Sequence, residues 1–219
     1  MSTHTFPTIL KAAPRLPASL VEQARTLGTA TLHEAAGKIG ALPSAIKPAV
    51  AGFRLCGPAV TVHSPPADNL WLHRAIYAAE PGDILVISVA DHYEAGYWGE
   101  VMSCAARARK LGGMVIDGCV RDGAILADFG FPVFARGLCI RGTGKDFGAR
   151  GWINAPILIG DVTVSSGDLI VGDVDGVVAL PAAGLEQTLA AAVAREAQEA
   201  DILRRLEAGE RTLDIYGWS

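Results

Sequence analysis

The sequence has little of what secreted miniproteins, zinc proteins and membrane proteins need. Its four cysteines are far apart and form no Cys-x-x-Cys pair, which argues against a disulfide framework or a thiolate zinc centre. No stretch approaches the roughly 18 consecutive apolar residues that a membrane-spanning helix requires. Residues 1–20 also lack the continuous apolar core of a signal peptide. We therefore expect a cytoplasmic protein that does not associate with membranes.

Clustered positive charge is missing as well. Acidic residues outnumber lysine and arginine by 23 to 19, the formal net charge is -4 and the isoelectric point lies near 5.7. A protein whose affinity for nucleic acid comes from neutralising phosphates needs the opposite balance. The composition therefore argues against nucleic acid as a partner.

Several common catalytic motifs are absent. The histidines show neither His-x-His nor His-Glu-x-x-His spacing, and there is no Gly-x-Ser-x-Gly elbow. Residues 142–146, GTGKD, resemble the end of a phosphate-binding loop, but Cys139 and Asp146 stand where that loop needs Gly and Ser or Thr. Zinc, nucleotide and serine-nucleophile chemistry are therefore not predicted. His73 could face a site, with a surface or capping role as the alternative.

Alternating strand and helix patterns dominate what is present. Half of the 219 residues are apolar, which is enough for the core of a single domain over residues 1–219. The order of elements indicates a parallel sheet, with ligands at the carboxyl ends of its strands. The predicted helices cover residues 17–27, 31–39, 68–79, 99–111 and 182–208, and the predicted strands cover residues 59–64, 84–89, 114–117 and 131–134.

The two ends of the chain and residues 157–181 have patterns of their own. Residues 1–50 form a helical N-terminal arm, in which Ser19 is expected to cap the first helix and Thr31 with Glu34 has capping-box spacing. Residues 157–181 are short apolar runs broken by Gly-Asp pairs, which predicts a small layer of antiparallel strands. Residues 182–219, a long helix and an apolar tail, suit packing on a neighbouring subunit.

The strongest functional signal comes from two short segments. Residues Gly99, Glu100, Val101 and Met102 open a predicted helix, whose free backbone N–H groups favour an anion such as a carboxylate. Arg121 and Asp122 follow a buried strand. The Arg121 guanidinium can bind a carboxylate or an enolate, and the Asp122 carboxylate beside it can hold Mg²⁺. Together the segments describe a site for a 2-oxo acid.

A structural alternative stays open on spacing alone. Asp122 would then only cap a short helix, Glu100 would lie on the surface of a first turn, and Arg121 would form a surface ion pair.

These residues resemble the class II 4-hydroxy-4-methyl-2-oxoglutarate/4-carboxy-4-hydroxy-2-oxoadipate aldolases, a family that includes the regulator of ribonuclease activity A. The shared pattern is an acidic residue, twenty intervening residues and then Arg-Asp, met here by Glu100 and Arg121-Asp122. The resemblance covers nearly the whole chain. It includes the segments TATLHEAAGK, GPAVTV, DNLWLHRAI, GFPVFARG, GDVDGVVALP and RLEAGERTLDIYG.

The resemblance implies a fold and an assembly. The fold would be of the α/β class, an α-β-β-α sandwich resembling the swivelling phosphohistidine domain, with a long C-terminal helix. The subunits would assemble as a homotrimer or homohexamer with sites between them. A glutamate from the adjacent subunit's C-terminal helix would reach each site, and Glu199 is the better match, with Glu196 as the alternative.

It also implies roles for the site residues. Asp122 would be the direct protein ligand of Mg²⁺ or Mn²⁺, and Arg121 would bind the pyruvyl part of the substrate. The backbone of residues 99–102 would bind the substrate carboxylate. Glu100 stands where the family more often has Asp, and with Glu199 it would orient water in the metal shell.

The implied activity is metal-dependent cleavage of 4-hydroxy-4-methyl-2-oxoglutarate or 4-carboxy-4-hydroxy-2-oxoadipate. The products are pyruvate plus pyruvate or oxaloacetate, formed through a pyruvate enolate, and the same electron sink would decarboxylate oxaloacetate. Arg121, Glu100, Asp122 and Glu199 would be the catalytic residues, and this complete set favours an enzyme. Two alternatives stay open: a non-catalytic protein that regulates a ribonuclease, and a related 2-oxo-acid lyase or decarboxylase with another substrate.

Overall fold

A computed structural model describes residues 8–219, so the first seven residues of the predicted N-terminal arm lie outside it. The helices are α1 (Ala18–Arg25), α2 (Thr29–Ala35), α3 (Leu70–Ala78), α4 (Glu100–Ala108), α5 (Gly123–Phe129), α6 (Leu185–Glu207) and α7 (Thr212–Ile215). The strands are β1 (Lys47–Pro48), β2 (Leu55–His63), β3 (Ile84–Ser88), β4 (Gly113–Asp117), β5 (Cys119–Val120), β6 (Val133–Ala135), β7 (Gly137–Leu138), β8 (Trp152–Ile153), β9 (Ile157–Ile159), β10 (Val162–Val164), β11 (Leu169–Asp173) and β12 (Gly176–Leu180).

One mixed sheet organises the chain, in the strand order β1-β6-β4-β3-β2-β11-β12, with β8 also pairing with β2. Strands β2, β3, β4 and β6 are parallel to one another. The intervening helices α3 and α4 make the predicted β-α-β units, which are confirmed. The loops that leave the carboxyl ends of these strands therefore emerge on one side of the sheet.

The segment from Gly40 to Pro48 brings the two edges of the sheet together. The Leu42 N–H donates to the Val177 carbonyl, and the Ala179 N–H donates to the Gly40 carbonyl, so this segment pairs with β12. A few residues later β1 pairs antiparallel with β6 at the other edge. The sheet is therefore a nearly closed barrel, in which most edge N–H and C=O groups find partners.

Both faces of the sheet are apolar because both are covered. In β3, Ile84 and Val86 point into the barrel, where they join Phe134, whereas Leu85 and Ile87 point outwards beneath α3 and α4. A third cluster lies where α1, α2 and α6 cover β11 and β12. The predicted α/β class and long C-terminal helix are confirmed, and the likeness to the phosphohistidine domain stays a prediction.

Two details of the predicted organisation are wrong. Residues 157–181 do not form a separate layer, because β11 pairs antiparallel with β2 and so extends the main sheet. Only β9 and β10 form a two-stranded hairpin of their own. The second helix ends at Ala35 and not at Ile39, since Gly37 and Lys38 have positive φ angles of 79° and 65° that close the helix.

The predicted caps of the first two helices are also wrong. Helix α1 starts directly after Pro17, and α2 starts at Thr29, so Ser19 and Thr31 lie inside the helices and make no capping bond within residues 8–219. The first residue of α2 is instead held by Asp173, which accepts hydrogen bonds from the Thr29 N–H at 2.9 Å and from its hydroxyl at 2.7 Å.

No helix within residues 8–219 has both the length and the apolar composition needed to cross a membrane.

We expect Asp173→Ala to lower the free energy of unfolding by about 1–2 kcal/mol at neutral pH, the usual value of a lost cap. Burial alone would raise the pKa of Asp173, but hydrogen bonds from Thr29 and Asp175 and the charge of Arg54 together hold it below its usual value. The stabilisation is therefore present above the unfolded-state pKa and is lost as the pH falls through the lower folded-state pKa.

Urea unfolding of both proteins at a series of pH values measures this difference. Asp161→Ala is the matched control, because Asp161 is exposed in the β9–β10 turn, and it should change stability by less than about 0.5 kcal/mol. A difference for Asp173→Ala that grows as the pH falls would contradict the assignment.

Candidate active site

A cavity of about 350 Å³ lies beyond the carboxyl ends of the parallel strands. Its walls come from the start of α3, the segment 96–102, the Arg121–Asp122 pair and the loop 142–145. The structure thus brings together five residues that the sequence singled out in two distant segments. They are Gly99, Val101, Met102, Arg121 and Asp122.

Asp122 is held by the helix that opens beside it. Its Oδ2 atom accepts a hydrogen bond from the Glu100 N–H at 3.0 Å, at the N-terminus of α4, where the free N–H groups and the helix dipole favour a carboxylate. Asp122 precedes α5, but its side chain makes no capping bond to that helix within the described residues. Its φ and ψ of 62° and 34° are left-handed, a strained conformation for a non-glycine residue that is common at functional sites. The prediction that Asp122 caps α5 through its side chain is therefore wrong, because its carboxylate holds the first N–H of α4 instead.

Two glycines leave the space that this arrangement needs. A Cβ atom on Gly99 would overlap Asp122 Oδ2 and would lie 3.2 Å from Arg121 Cγ. A Cβ atom on Gly96 would overlap the Cys139 carbonyl and lie 3.1 Å from Arg121 Cβ. Gly99 has an extended backbone, with φ near -160°, so space and not conformation excludes a larger residue there.

Arg121 and Asp122 form only a loose ion pair. The distance from Arg121 Nε to Asp122 Oδ2 is 3.7 Å, and the two side chains are 49% and 34% exposed. An exposed pair at this distance contributes little stability. Both charged groups therefore remain available to a ligand in the cavity.

The segment before α3 and a buried tyrosine build the floor of the cavity. Tyr97 is buried, and its hydroxyl accepts a hydrogen bond from the Ala67 N–H at 2.8 Å and donates to the His92 carbonyl at 3.0 Å. Burial raises the pKa of Tyr97, which keeps this hydroxyl a donor. Asn69 Nδ2 donates to the Tyr97 carbonyl at 2.9 Å. The sequence pattern predicts Asn69 only as part of the helix over residues 68–79, and it gives no signal for the role of Tyr97.

His73 and Lys145 also line the cavity. Burial and, secondly, the positive charge of Lys145 lower the pKa of His73, so the imidazole is neutral at physiological pH. His73 was one of two open interpretations, and the structure favours the site. The Lys145 segment was considered only as a nucleotide-binding loop, so its position here was not predicted.

In the single chain, the cavity wall contains none of the predicted glutamates Glu100, Glu199 and Glu196. Glu100 contacts Asp122 through its backbone N–H, and its side chain is not part of the cavity wall. Glu199 lies on α6, where its Oε1 atom is 3.0 Å from Arg195 Nε. Glu196 is exposed on the same helix. A role for Glu199 or Glu196 at this cavity requires a second subunit and stays a prediction.

The residues present fit a hard divalent cation. Within residues 8–219 no group of three or more His, Cys, Asp or Glu side chains could hold a metal ion. Mg²⁺ commonly binds through one or two carboxylates and keeps water or substrate oxygens for its other positions. Asp122 offers such a carboxylate, since the hydrogen bond from Glu100 uses only Oδ2.

Comparisons with known proteins point to one family. The model of the RraA-like family, described as Aldolase/RraA, matches residues 29–179. A Halalkalibacterium halodurans protein, provisionally named a 4-hydroxy-4-methyl-2-oxoglutarate aldolase, is 35% identical over 179 residues, which are 82% of this chain and 84% of that protein.

Two solved structures have the same fold. An uncharacterised protein from Pseudomonas syringae pv. tomato has a TM-score of 0.78 at 28% identity and covers 91% of this chain and 97% of its own. A Streptomyces coelicolor protein, described as an unusual member of the RNase ES inhibitor RraA family, has a TM-score of 0.75 at 23% identity and covers 88% of this chain and 98% of its own.

We expect Gly99→Ala to displace the Asp122 carboxylate, and a double-mutant cycle measures this directly. In the wild-type background the added methyl group should lower the free energy of unfolding by about 1–3 kcal/mol, the usual cost of overpacking. In an Asp122→Ala background the overlapping oxygen is gone, so the same change should cost clearly less. Equal costs in the two backgrounds would show that Gly99 does not serve to make room for Asp122.

Proposed function

This chain belongs to the Aldolase/RraA family, and on that premise we propose that it is a divalent-metal-dependent carbon–carbon lyase. It cleaves 4-hydroxy-4-methyl-2-oxoglutarate or 4-carboxy-4-hydroxy-2-oxoadipate to pyruvate plus pyruvate or oxaloacetate, and it also decarboxylates oxaloacetate. One observation carries the proposal: Asp122 is fixed on the N-terminus of α4 and lies beside Arg121 in the wall of one cavity.

Cleavage of the carbon–carbon bond requires a group that can accept the electron pair of that bond. When the carbon–carbon bond breaks, its electron pair stays on the pyruvyl fragment and must be delocalised as an enolate. Asp122 would hold a Mg²⁺ or Mn²⁺ ion, which would supply Lewis-acid polarisation of the 2-oxo group. Arg121 adds a fixed positive charge where the enolate charge develops, and the loss of one such donor typically costs about 3–4 kcal/mol of transition-state stabilisation.

The first turn of α4 binds the substrate carboxylate. The N–H groups of a first helical turn have no partner inside the helix. The Glu100 N–H is already used by Asp122, which leaves those of Val101 and Met102 for the ligand. Both residues line the cavity. The carboxylate of a 2-oxo acid therefore lies between these donors and the Arg121 guanidinium.

The proton of the 4-hydroxyl group must leave as the bond breaks. The water that takes this proton is oriented by the partner subunit's Glu199, with Glu196 as the alternative, and by Glu100, whose side chain must turn towards the cavity to do so. This arrangement requires a second subunit, and the family resemblance favours a homotrimer or homohexamer with sites between subunits. Exposed apolar side chains support such contacts both near the cavity and in the C-terminal tail. They include Val101, Leu138, Ile140 and Trp218.

The second candidate is a protein-binding regulator of ribonuclease activity. It is supported by the description of the Streptomyces relative, whose 23% identity shows the fold alone. Arg121 and Asp122 have no evident use in such a regulator, whereas both are needed for lyase chemistry. A third proposal is a related 2-oxo-acid lyase or decarboxylase that acts on another substrate. The cytoplasmic location also stays a proposal.

We expect pyruvate release from 4-hydroxy-4-methyl-2-oxoglutarate and from oxaloacetate in the presence of Mg²⁺, and its loss with excess chelator. Asp122→Ala should abolish turnover, and Arg121→Ala should lower kcat/KM by roughly 100-fold or more because an electrostatic donor is lost. A coupled assay for pyruvate measures both.

Exposed residues away from the cavity provide the controls. Asp128→Ala on α5 and Arg25→Ala on α1 remove the same charges and should leave turnover within about twofold of wild type. Turnover of oxaloacetate alone would indicate a different lyase. A metal-loaded protein that cleaves neither compound would favour the regulator.

Mixed oligomers test whether Glu199 acts on a neighbouring site. Asp122→Ala and Glu199→Ala proteins should each have little activity, but each interface that combines an intact Asp122 with an intact Glu199 is complete. Random mixing in a cyclic assembly should restore about a quarter of wild-type activity, because one interface in four is complete. The same experiment with Glu196→Ala decides between the two glutamates. If neither mixture recovers activity, the catalytic glutamate lies at another position.

A further inference from the structure

The loop from Gly142 to Asp146 has no role in the chemistry above, although it forms a wall of the cavity. Thr143 and Lys145 both line the cavity. Lys145 lines the cavity together with Asn69 and His73 at the start of α3. Arg121 packs instead beside Gly96 and Gly99. The cavity therefore has two cationic groups that belong to different walls.

The loop is fastened to the segment that precedes α3. Asp68 is only 4% exposed, and its Oδ1 atom accepts a hydrogen bond from the Leu70 N–H at 2.8 Å. Its Oδ2 atom accepts one from the Asp146 N–H at 2.5 Å. The Gly144 N–H donates to the Ala67 carbonyl at 2.7 Å. Bonds on both sides of Lys145 thus fix its backbone beside the cavity.

Lys145 has no acidic partner of its own. Both oxygens of Asp68 are used by backbone N–H groups, and none of the ion pairs formed within residues 8–219 includes Lys145. An ammonium group is a compact charge with three donors, and a carboxylate is its natural partner. The loop therefore holds the backbone of an exposed cationic residue at the cavity wall, where its ammonium group can reach an anionic group of a ligand.

We propose that Lys145, positioned by Asp68, binds the distal carboxylate of the substrate and thereby selects 2-oxo acids that carry a second carboxylate. This inference rests on the proposed function, because it takes the first carboxylate and the 2-oxo group to lie at Arg121 and Asp122. Lys145 is the specificity-determining residue, and Asp68 is a positioning residue that acts through the loop.

The test compares two unreactive ligands that differ only at the distal end. 2-Oxoglutarate has a carboxylate there and 2-oxopentanoate has a methyl group. Calorimetric titration of the Mg²⁺-loaded protein gives both dissociation constants. Wild type should prefer 2-oxoglutarate, and Lys145→Met should weaken that ligand by about tenfold or more, because a charge-assisted hydrogen bond is lost. The affinity for 2-oxopentanoate should stay within about twofold.

Matched variants identify the cause. Lys145→Arg retains the charge and should retain most of the preference for 2-oxoglutarate. Lys11→Met removes a lysine from an exposed position outside the cavity and should change neither dissociation constant. A Lys145→Met protein that keeps the full preference, or that loses affinity for both ligands equally, would overturn the proposal. So would a wild-type protein that binds the two ligands equally.

Asp68 needs a measurement that general damage to the fold would not reproduce. Asp68→Asn leaves one acceptor oxygen for the two N–H groups of Leu70 and Asp146 and should reduce the same ligand preference. In the Asp68→Asn/Lys145→Met double variant the preference should fall no further than in Lys145→Met alone, because both changes act through one ammonium group. Independent, additive losses would show that Asp68 does not act through Lys145.

These outcomes separate the two proposals. A protein that shows the Lys145-dependent preference but cleaves no 2-oxo acid would overturn the proposed lyase and leave the carboxylate subsite standing. A protein that cleaves its substrate without this preference would overturn the subsite alone.

Discussion

The hydrogen bond from the Glu100 N–H to Asp122 Oδ2 fixes the centre of the site. It joins the start of α4 to the second residue after β5, and each of its neighbours is adapted to it. Gly99 gives the carboxylate room, and the left-handed backbone of Asp122 turns its side chain towards α4 and away from α5. Arg121 donates its N–H to the Trp98 carbonyl at 2.8 Å and packs against the same glycine wall. The separation of the two charged groups is therefore set by the backbone and only weakly by their mutual attraction.

The same kind of bond recurs at two other helices. Asp173 holds the first residue of α2, and Asp68 holds the first residue of α3 while it also fastens the loop that carries Lys145. In each case a carboxylate outside the helix accepts a backbone N–H that the helix itself cannot satisfy. Burial would raise the pKa of such a group, and hydrogen bonding to the ionised form opposes that effect, as at Asp173. Of the two, Asp68 acts at the cavity, because it fixes the loop that carries Lys145.

The barrel explains why the site can be both rigid and open. The interior of the sheet is filled by aliphatic residues and Phe134, and helices cover its outer surface, so the strand ends have little freedom. The site lies on loops that leave these fixed ends, which is where open α/β sheets bind their ligands. The family contains proteins described as aldolases and others described as ribonuclease inhibitors. Because one fold can carry different functions, the proposed lyase activity rests on the side chains at the strand ends and not on the scaffold.

The α/β class, the buried strands β3 and β4 and the long C-terminal helix can be predicted from the sequence, because periodic patterns are recognisable within a short stretch of chain. The pairing of residues 99–102 with Arg121 and Asp122 is also predicted, but through the family resemblance, since spacing alone leaves a structural alternative open. The caps of α1 and α2, the closure of the barrel by residues 40–48 and the place of Lys145 at the cavity emerge only in the folded chain. Each of these depends on partners far apart in the chain, such as Thr29 and Asp173, which are separated by 144 positions. Local spacing carries no information about such contacts, because they form only when packing of the whole chain brings their partners together.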